Sequence, residues 1–440
     1  MQSTPEQAPS PTAALLAGMS PAERASSLAA FAFPALSLCL PSGYSWGATL
    51  LLLAALLTSR HWWHRPADWT QLRWLVAAVV FMGMDWLIDA LISQGSWRGL
   101  DKPLKYFLAL PCLFFVLRYP PRPRALWAGL AVGASLSGLV SLYQYLVQGM
   151  WRTEGFTNAI QYGNLSLLMA IMCLIGAMTW PEGPRRLAWR LALGVGMVLG
   201  LVASLLSQAR GGWLSLVFIL PVLVWLVRRY IPLKRLLVAL GALGLSLVLL
   251  VAAMGPTLLH RLTLAVDEVR EYETTGHSDN SVGQRLAHWK AAWHMGLQRP
   301  LLGWTQAGYE QEKQRLVAAG EAPAVVLVYG HAHNEFVDVF AKRGLLGLFS
   351  VLGLYAAVLW LFWPRLGQAL SPERQGLQLA ALMMPLAYLG FGLTQAFLGH
   401  NSGTMFYLFM TLLMYGALRP PQAAGPAAAT PPPASASPMA

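Results

Sequence analysis

Leu187 to Ser207 reads LAWRLALGVGMVLGLVASLLS, an apolar stretch whose only charge is Arg190. Its length matches the ~20 residues that a helix needs to cross a bilayer. Segments of the same character lie before it at 26–41, 44–58, 74–93, 104–117, 125–148 and 160–180. After it come 211–227, 236–254, 344–363, 376–397 and 402–418, which makes twelve. Several are short, and the first two would also fit one broken hairpin. Pro34 and Pro111 fall inside spans, where neighbouring helices must satisfy the backbone groups they free. Only 11% of the 440 residues are charged, against the roughly 25% usual in soluble domains, while 56% are hydrophobic. The 18 Trp and 14 Tyr are generous for interfacial belts. These values exclude a water-soluble, single-core protein. They predict an all-α polytopic membrane protein with about twelve transmembrane helices.

Charge sets the orientation of these spans. With both termini in the cytoplasm, the inner connections hold 17 bases against five acids and so carry the whole net charge of +12. The bases are spread over short loops, such as Arg118, Arg122 and Arg124, or Arg228, Arg229, Lys234 and Arg235. The positive-inside rule demands that distribution, which excludes nucleic acid as the reason for the basic balance. The chain then divides into a cytoplasmic tail (1–25), nine spans (26–254), one large outer loop (255–343), three spans (344–418) and a tail (419–440). The last of these is rich in Pro and Ala and is expected to be disordered and cytoplasmic. Arg24 alone makes a poor leader n-region, so no cleaved signal peptide is expected, and Met19 is as good a start as Met1. Cys39, Cys112 and Cys173 sit inside apolar runs and predict buried hydrophobes, not a disulfide framework.

The outer loop reads as amphipathic helices: one around Leu258 to Tyr272, one from Ser281 as N-cap to Leu297, a stop at Pro300 and Gly303, and one around Ala307 to Ala318. In the second, Leu286, Trp289, Trp293 and Leu297 form a single apolar face suited to lying on the membrane interface.

Function is therefore sought in this loop and the span mouths beside it. Gly330-His331-Ala332-His333-Asn334-Glu335-Phe336 concentrates two imidazoles, an amide and a carboxylate where the tenth span begins. Such a cluster at a span mouth is a site candidate; the plainer reading is a polar cap on a helix start. His-x-His can bind zinc, but no spaced Cys or further His supplies the other ligands. Arg210, between Ser207-Gln208-Ala209 and Gly211-Gly212-Trp213, lies at an outer turn. Its guanidinium can fork onto phosphate oxygens or simply snorkel to the surface. Arg285, at the start of the second loop helix, is either a second such fork or an ordinary solvated base. Two arginines and a histidine on one side of the membrane make a coherent anionic-substrate site. Lys105 and Arg152, at outer span ends, are secondary anion contacts. Asp85 and Asp89, at i and i+4 in the third span, are expected to pair with nearby bases, Arg98, Lys102 and Lys105, rather than relay protons. Walker loops, Gly-x-Gly-x-x-Gly motifs and outer-loop Asp-x-Asp pairs are missing, so the chemistry needs no nucleotide hydrolysis by this chain.

At these residues the chain resembles the O-antigen ligase and polymerase superfamily of bacterial envelope proteins. The ligase pattern, His-Asn, nine residues, then Gly-x-x-Gly, is met by His333-Asn334, residues 335–343 and Gly344-Leu345-Leu346-Gly347. Ser207 to Trp213 is similar to the family's Ser-Arg-Gly segment. Arg285 followed by Trp289, Pro300 and Gly303 is similar to its outer-loop arginine block. Gly155-Phe156-Thr157-Asn158 with Asn164 resembles a Gly-x-Phe-x-Asn segment less specifically. The resemblance covers most of the chain outside its tails. It implies transfer of a glycan from undecaprenyl diphosphate to lipid A-core at the periplasmic face of the Gram-negative inner membrane, inverting and without metal or other cofactor. It gives His333 the role of the essential histidine and Arg210 and Arg285 those of the paired arginines. His331, Asn334, Asn158, Lys105 and Arg152 are then expected substrate contacts, and the outer loop is periplasmic. The partners implied are the lipid-linked O-antigen donor, the lipid A-core acceptor and membrane lipids. Two other roles for His333 remain: orienting the acceptor hydroxyl, with Glu335 or Asp338 as base, or steadying the phosphate. The alternatives are an O-antigen polymerase or a protein O-oligosaccharyltransferase using the same donor. More remote is a lipid or glycan transporter, against which no half-to-half symmetry is visible.

Overall fold

The computed structural model describes residues 19–62, 68–93, 97–230, 280–364 and 370–419, with a few isolated positions besides. The predicted ninth span (236–254), the loop helix expected at Leu258 to Tyr272 and the tail from 420 onward lie wholly or almost wholly outside the described residues. The first helices are α1 (Pro21–Leu36), α2 (Gly43–Leu57), α3 (Trp69–Ile92), α4 (Asp101–Arg118) and α5 (Pro123–Leu146). They are followed by α6 (Ala159–Thr179), α7 (Arg186–Leu206) and α8 (Ser215–Tyr230). Beyond the gap come α9 (Ser281–Gln298), α10 (Thr305–Ala318), α11 (Glu335–Phe362), α12 (Pro372–Gly392) and α13 (Asn401–Ala417). Among the described residues five helices, α3, α5, α6, α7 and α11, are long and apolar enough to cross a membrane, and α2 is a shorter apolar one. The chain is an all-helical, multi-pass membrane protein.

The ranking of burial follows composition. Helices α6, α12 and α13 are apolar on every side and buried on nearly every side, so they form the centre. Helix α3 lies at the edge, with Trp74, Leu91 and Ile92 uncovered, as a lipid-facing helix requires. Where α5 crosses α1, Gly129 and Gly133 sit against the Phe31 and Pro34 carbonyls. A side chain at either position would push the two backbones apart, which is the use of small residues four apart in membrane helices. The first two predicted segments form α1 and α2, packed on each other. Helix α1 starts inside the stretch expected as a tail, because Ser20 and Glu23 close a capping box around Pro21.

A smaller second core sits over the mouth of this bundle, built by α9, α10 and the segment up to residue 334. Ala287, Ala291, Met295, Tyr309, Leu316 and Val326 pack there against Ala332 and Ala341. Asn280, not Ser281, caps α9, its Oδ1 accepting from the Gly283 N–H at 2.7 Å. The face of α9 turned inward is Ala287, His288, Ala291, Ala292 and Met295. The predicted apolar stripe keeps its outer end uncovered, with Trp293 53% and Leu297 57% exposed.

The largest departure from the sequence expectation concerns the tenth span. It was expected to begin at Gly344, but its helix starts at Glu335, under an Asn334 cap, and Gly344 is a break inside it (φ 64°, ψ −155°). The break frees backbone N–H groups, and the linker between α9 and α10 takes them up. Leu345 N donates to Pro300 O at 2.7 Å and Leu346 N to Leu301 O at 3.2 Å, while Trp304 N donates to Ala341 O at 3.0 Å. A broken helix at membrane depth survives on such substitutes. Residues 335–343 thus form a separate half-helix, held at the bundle mouth below the second core.

Candidate active site at the bundle mouth

The half-helix is a rack for the loops that surround it. Asn334 Oδ1 accepts from the Phe336 and Val337 N–H groups (3.0 and 3.2 Å), so the plain capping reading holds for that residue. Glu335 Oε2 accepts from Leu398 N at 2.8 Å and ties down the segment before α13. Asp338 Oδ1 accepts from Ala332 N at 2.8 Å, and its Oδ2 pairs with Lys342 at 2.9 Å. Lys342 Nζ also reaches Gly330 O at 2.8 Å. Together these bonds fix the 330–334 loop, and His333 is held with a left-handed backbone (φ 53°).

Of the two aspartates of α3, expected to pair with nearby bases, Asp85 pairs with a distant one and Asp89 bonds a backbone N–H instead. Asp85 Oδ2 meets Arg343 Nη1 at 2.8 Å, with both side chains about 95% covered (5% and 4% exposed). Asp89 Oδ1 accepts from Gln306 N at 2.7 Å and so caps α10 from a neighbouring helix. Lys102 and Lys105 are not their partners; Lys105 bonds Asp101 and, at 3.1 Å, Asn401 Oδ1, while the side chain of Arg98 lies outside the described residues. The aspartates thus latch the break and the second core to the bundle. Removing one member of a buried pair strands the other charge, typically at a cost of ~3–5 kcal/mol. Asp85→Ala is therefore expected to lower the melting temperature of the detergent-purified protein more than the double variant Asp85→Leu/Arg343→Met. Equal losses in thermal unfolding would contradict the latch.

Four imidazoles gather around this rack. The His333 ring lies 4.3 Å from that of His331 and 5.9 Å from that of His288, centroid to centroid, and Tyr329 closes the group at 4.6 Å from His333. His400, just before α13, is 5.5 Å from His331. His333 Nδ1 meets Gln395 Oε1 at 3.0 Å, and Gln395 Nε2 meets His400 Nε2 at 3.2 Å. In the tautomer that donates from Nδ1 to Gln395, His333 keeps Nε2 as a bare acceptor. Asn158, the cap of α6, presents Nδ2 to His400 Nδ1 at 3.4 Å. A neutral imidazole has one acceptor nitrogen, so the longer of the two amide contacts at His400 is the one left unmade.

Burial, then the neighbouring positive charge, lowers the pKa of these rings from 6.5: His288, His333 and His400 to about 4, and His331 to about 3. For His333 the second cause, after burial, is the positive charge of Arg285. All four rings are neutral at pH 7. At these four rings the folded chain therefore binds fewer protons than the unfolded one between pH 6.5 and about 4, so their contribution to stability falls as pH falls through that window. Thermal unfolding between pH 7 and 4 is expected to show a decreasing midpoint, with a shallower slope in His288→Phe. A midpoint that rises on acidification would contradict the buried neutral cluster. Among the described residues no three His, Cys, Asp or Glu side chains are arranged to hold one metal ion.

The predicted residues fall into two groups. Arg285, half-buried on α9 one turn before His288, and the backbone of Arg210 come to the same mouth as His333. Arg210 opens a short 3₁₀ turn (Arg210–Leu214) in which Gly211 abuts Thr394, next to the Gln395 that bonds His333. Gly212 abuts the Asn164 amide, so a side chain at either glycine would hold the turn away from α6 and α12. Asn334, as the cap of α11, and His331, through its ring contacts, also lie here, and Asn158 lies beside His400. Arg152 stands beside that turn, its Nε donating to Ser207 O at 3.1 Å, and Lys105 is at the far rim. Sequence reasoning missed His288, Gln395, His400 and Tyr329. A signal existed for two of them: His288 follows Arg285 by one helical turn, and His400-Asn401 repeats the His-Asn dipeptide at another helix start.

A membrane-embedded helical bundle, with a cluster of basic and imidazole side chains under a small helical cover, is the class this geometry defines. Residues 195–352, which contain Arg210, Arg285, His333 and the Gly344 break, match the family model described as O-antigen ligase, and over that stretch the chain is similar to that family. A protein of Haemophilus influenzae, described as uncharacterized, is 21% identical over 378 residues, covering 86% of this chain and 94% of that protein.

Proposed function

We propose that the chain transfers a glycan from undecaprenyl diphosphate to lipid A-core at the periplasmic face of the inner membrane. The observation that carries this reading is the meeting of Arg285, the Arg210 turn and His333 at one bundle mouth, inside the family match. The two guanidinium groups hold the donor diphosphate; arginine forks onto phosphate oxygens and keeps its charge at any relevant pH. The acceptor hydroxyl sits at His333 and gives its proton to Nε2 as its oxygen bonds to the anomeric carbon. The bond from that carbon to the diphosphate breaks, the electron pair leaves with the lipid-linked diphosphate, and the configuration inverts. The arginines neutralise the charge that grows on the leaving group. Glu335 and Asp338 are engaged by Leu398 N, Ala332 N and Lys342, which favours His333 over either as base. An apolar groove of about 560 Å³ between α3 and α11, walled by Trp74, Phe81, Phe349 and Trp360, offers the donor's tail a path along the bundle. The scheme is an inverting, metal-independent transfer, and no cofactor enters it.

Purified protein, lipid-linked glycan and lipid A-core, incubated with a chelator, test the reading directly: glycan on lipid A-core is the expected product. In a null strain, full-length glycan left on the carrier supports ligation, whereas single repeats on the carrier point to polymerase chemistry with the same donor. Accumulation on the inner leaflet points to a transporter.

A further inference from the structure

A second space opens on the other side of the histidine cluster. It has a volume of about 500 Å³, within the usual range for ligand pockets, and its walls include Trp86, Lys102, His331, Lys342, His400 and Asn401. Neither α9 nor the Arg210 turn contributes to it, so the arginines assigned to the donor lie outside its walls. It joins the reaction centre through His331, whose ring is 4.3 Å from that of His333 and 5.5 Å from that of His400. A transfer reaction needs two substrates that meet at His333, and this chamber is the space left for the second.

The charges on its walls say what the second substrate carries. The wall carboxylates are each engaged: Asp89 with Gln306 N, Asp101 with Lys105 and Asp338 with Lys342. Lys102 has no carboxylate within ion-pair distance among the described residues; its ammonium lies over the Trp86 ring, 4.3 Å from the centroid. The chamber therefore offers one ammonium without a carboxylate partner, beside neutral imidazoles and an amide; Asp89, across the wall, is held by neutral donors. That is a combination for hydroxyl groups plus one anionic substituent.

We infer that this chamber receives the reacting end of the acceptor as an anionic sugar, a pyranose bearing a phosphate or carboxylate, with Lys102 as the residue that selects its charge. The inference rests on the ligase reading above. The test measures transfer kinetics with purified protein and three acceptors: lipid A-core, the same after phosphatase treatment, and the same after carboxyl reduction. Losing a hydrogen bond to a charged group typically costs about ten- to a hundredfold in binding. Lys102→Gln is expected to raise the acceptor KM on native lipid A-core by that factor and leave the donor KM unchanged. Wild-type enzyme is expected to show the same rise on whichever treated acceptor has lost the recognised group, and there Lys102→Gln should add nothing. An unchanged acceptor KM in Lys102→Gln overturns the inference, as does equal wild-type KM on all three acceptors, a result that stands even if the variant does not fold. Absence of transfer by wild-type enzyme to any of the three overturns the ligase reading itself.

Discussion

Arg285→Ala is expected to reduce glycan transfer by about 10²- to 10³-fold, the usual consequence of removing one preorganised donor aimed at developing charge. The position justifies so large an effect. Arg285 is half-buried on α9, and its positive charge bears on the His333 ring, so the proposed mechanism puts the diphosphate on the same side of the mouth as the proposed base. Arg285→Lys is expected to recover little, because a point charge loses the two-pronged contact with phosphate. Arg210→Ala should behave like Arg285→Ala, since the proposed mechanism assigns both guanidinium groups to the same leaving group. Purified enzyme with lipid-linked donor gives the rates, and complementation of a null strain gives the phenotype. Wild-type transfer by Arg285→Lys would mean that the arginine supplies only general charge and that the diphosphate is held elsewhere.

The spans were legible because long apolar runs leave few alternatives to a transmembrane helix, and α3, α5, α6 and α7 lie close to their predicted ranges. The motif residues were legible because spacing along the chain, His333-Asn334 to Gly344, survives folding unchanged. What sequence could not supply was contact between distant segments. Asp85 and Arg343 are 258 residues apart, so chain proximity points instead to the nearer bases Arg98, Lys102 and Lys105. Gln395 and His400 likewise reach His333 only because α12 and α13 turn back beside α11. Hydropathy placed the start of the tenth span at Gly344 because residues 335–343 include Glu335, Asp338, Lys342 and Arg343. All four are buried by pairing or by bonds to backbone, which hydropathy does not see.

That half-helix explains why the spacer between His-Asn and Gly-x-x-Gly has a length at all. Nine helical residues rise roughly 13 Å, and that rise sets how far the histidine loop stands above the break. The break itself depends on one residue. At φ 64° and ψ −155°, Gly344 occupies a backbone region essentially closed to other residues, where strain costs of order 1–3 kcal/mol. A side chain would also collide with the Leu301 carbonyl, part of the linker that satisfies the freed N–H groups. Gly344→Ala is therefore expected to lose most folded protein and, with it, nearly all transfer. Gly347→Ala should be milder, since Gly347 lies in the helix without the positive φ of Gly344, although its added carbon meets the Arg343 Cβ and a Val339 methyl at 2.6 and 2.7 Å. Gly194→Ala, in α7 with nothing within 4 Å, serves as the neutral control. Size-exclusion yield, melting temperature and transfer rate measured on the three variants give the order. If Gly344→Ala folds and transfers like Gly194→Ala, helix α11 does not need its break, and the histidine loop is held in place by something other than the half-helix.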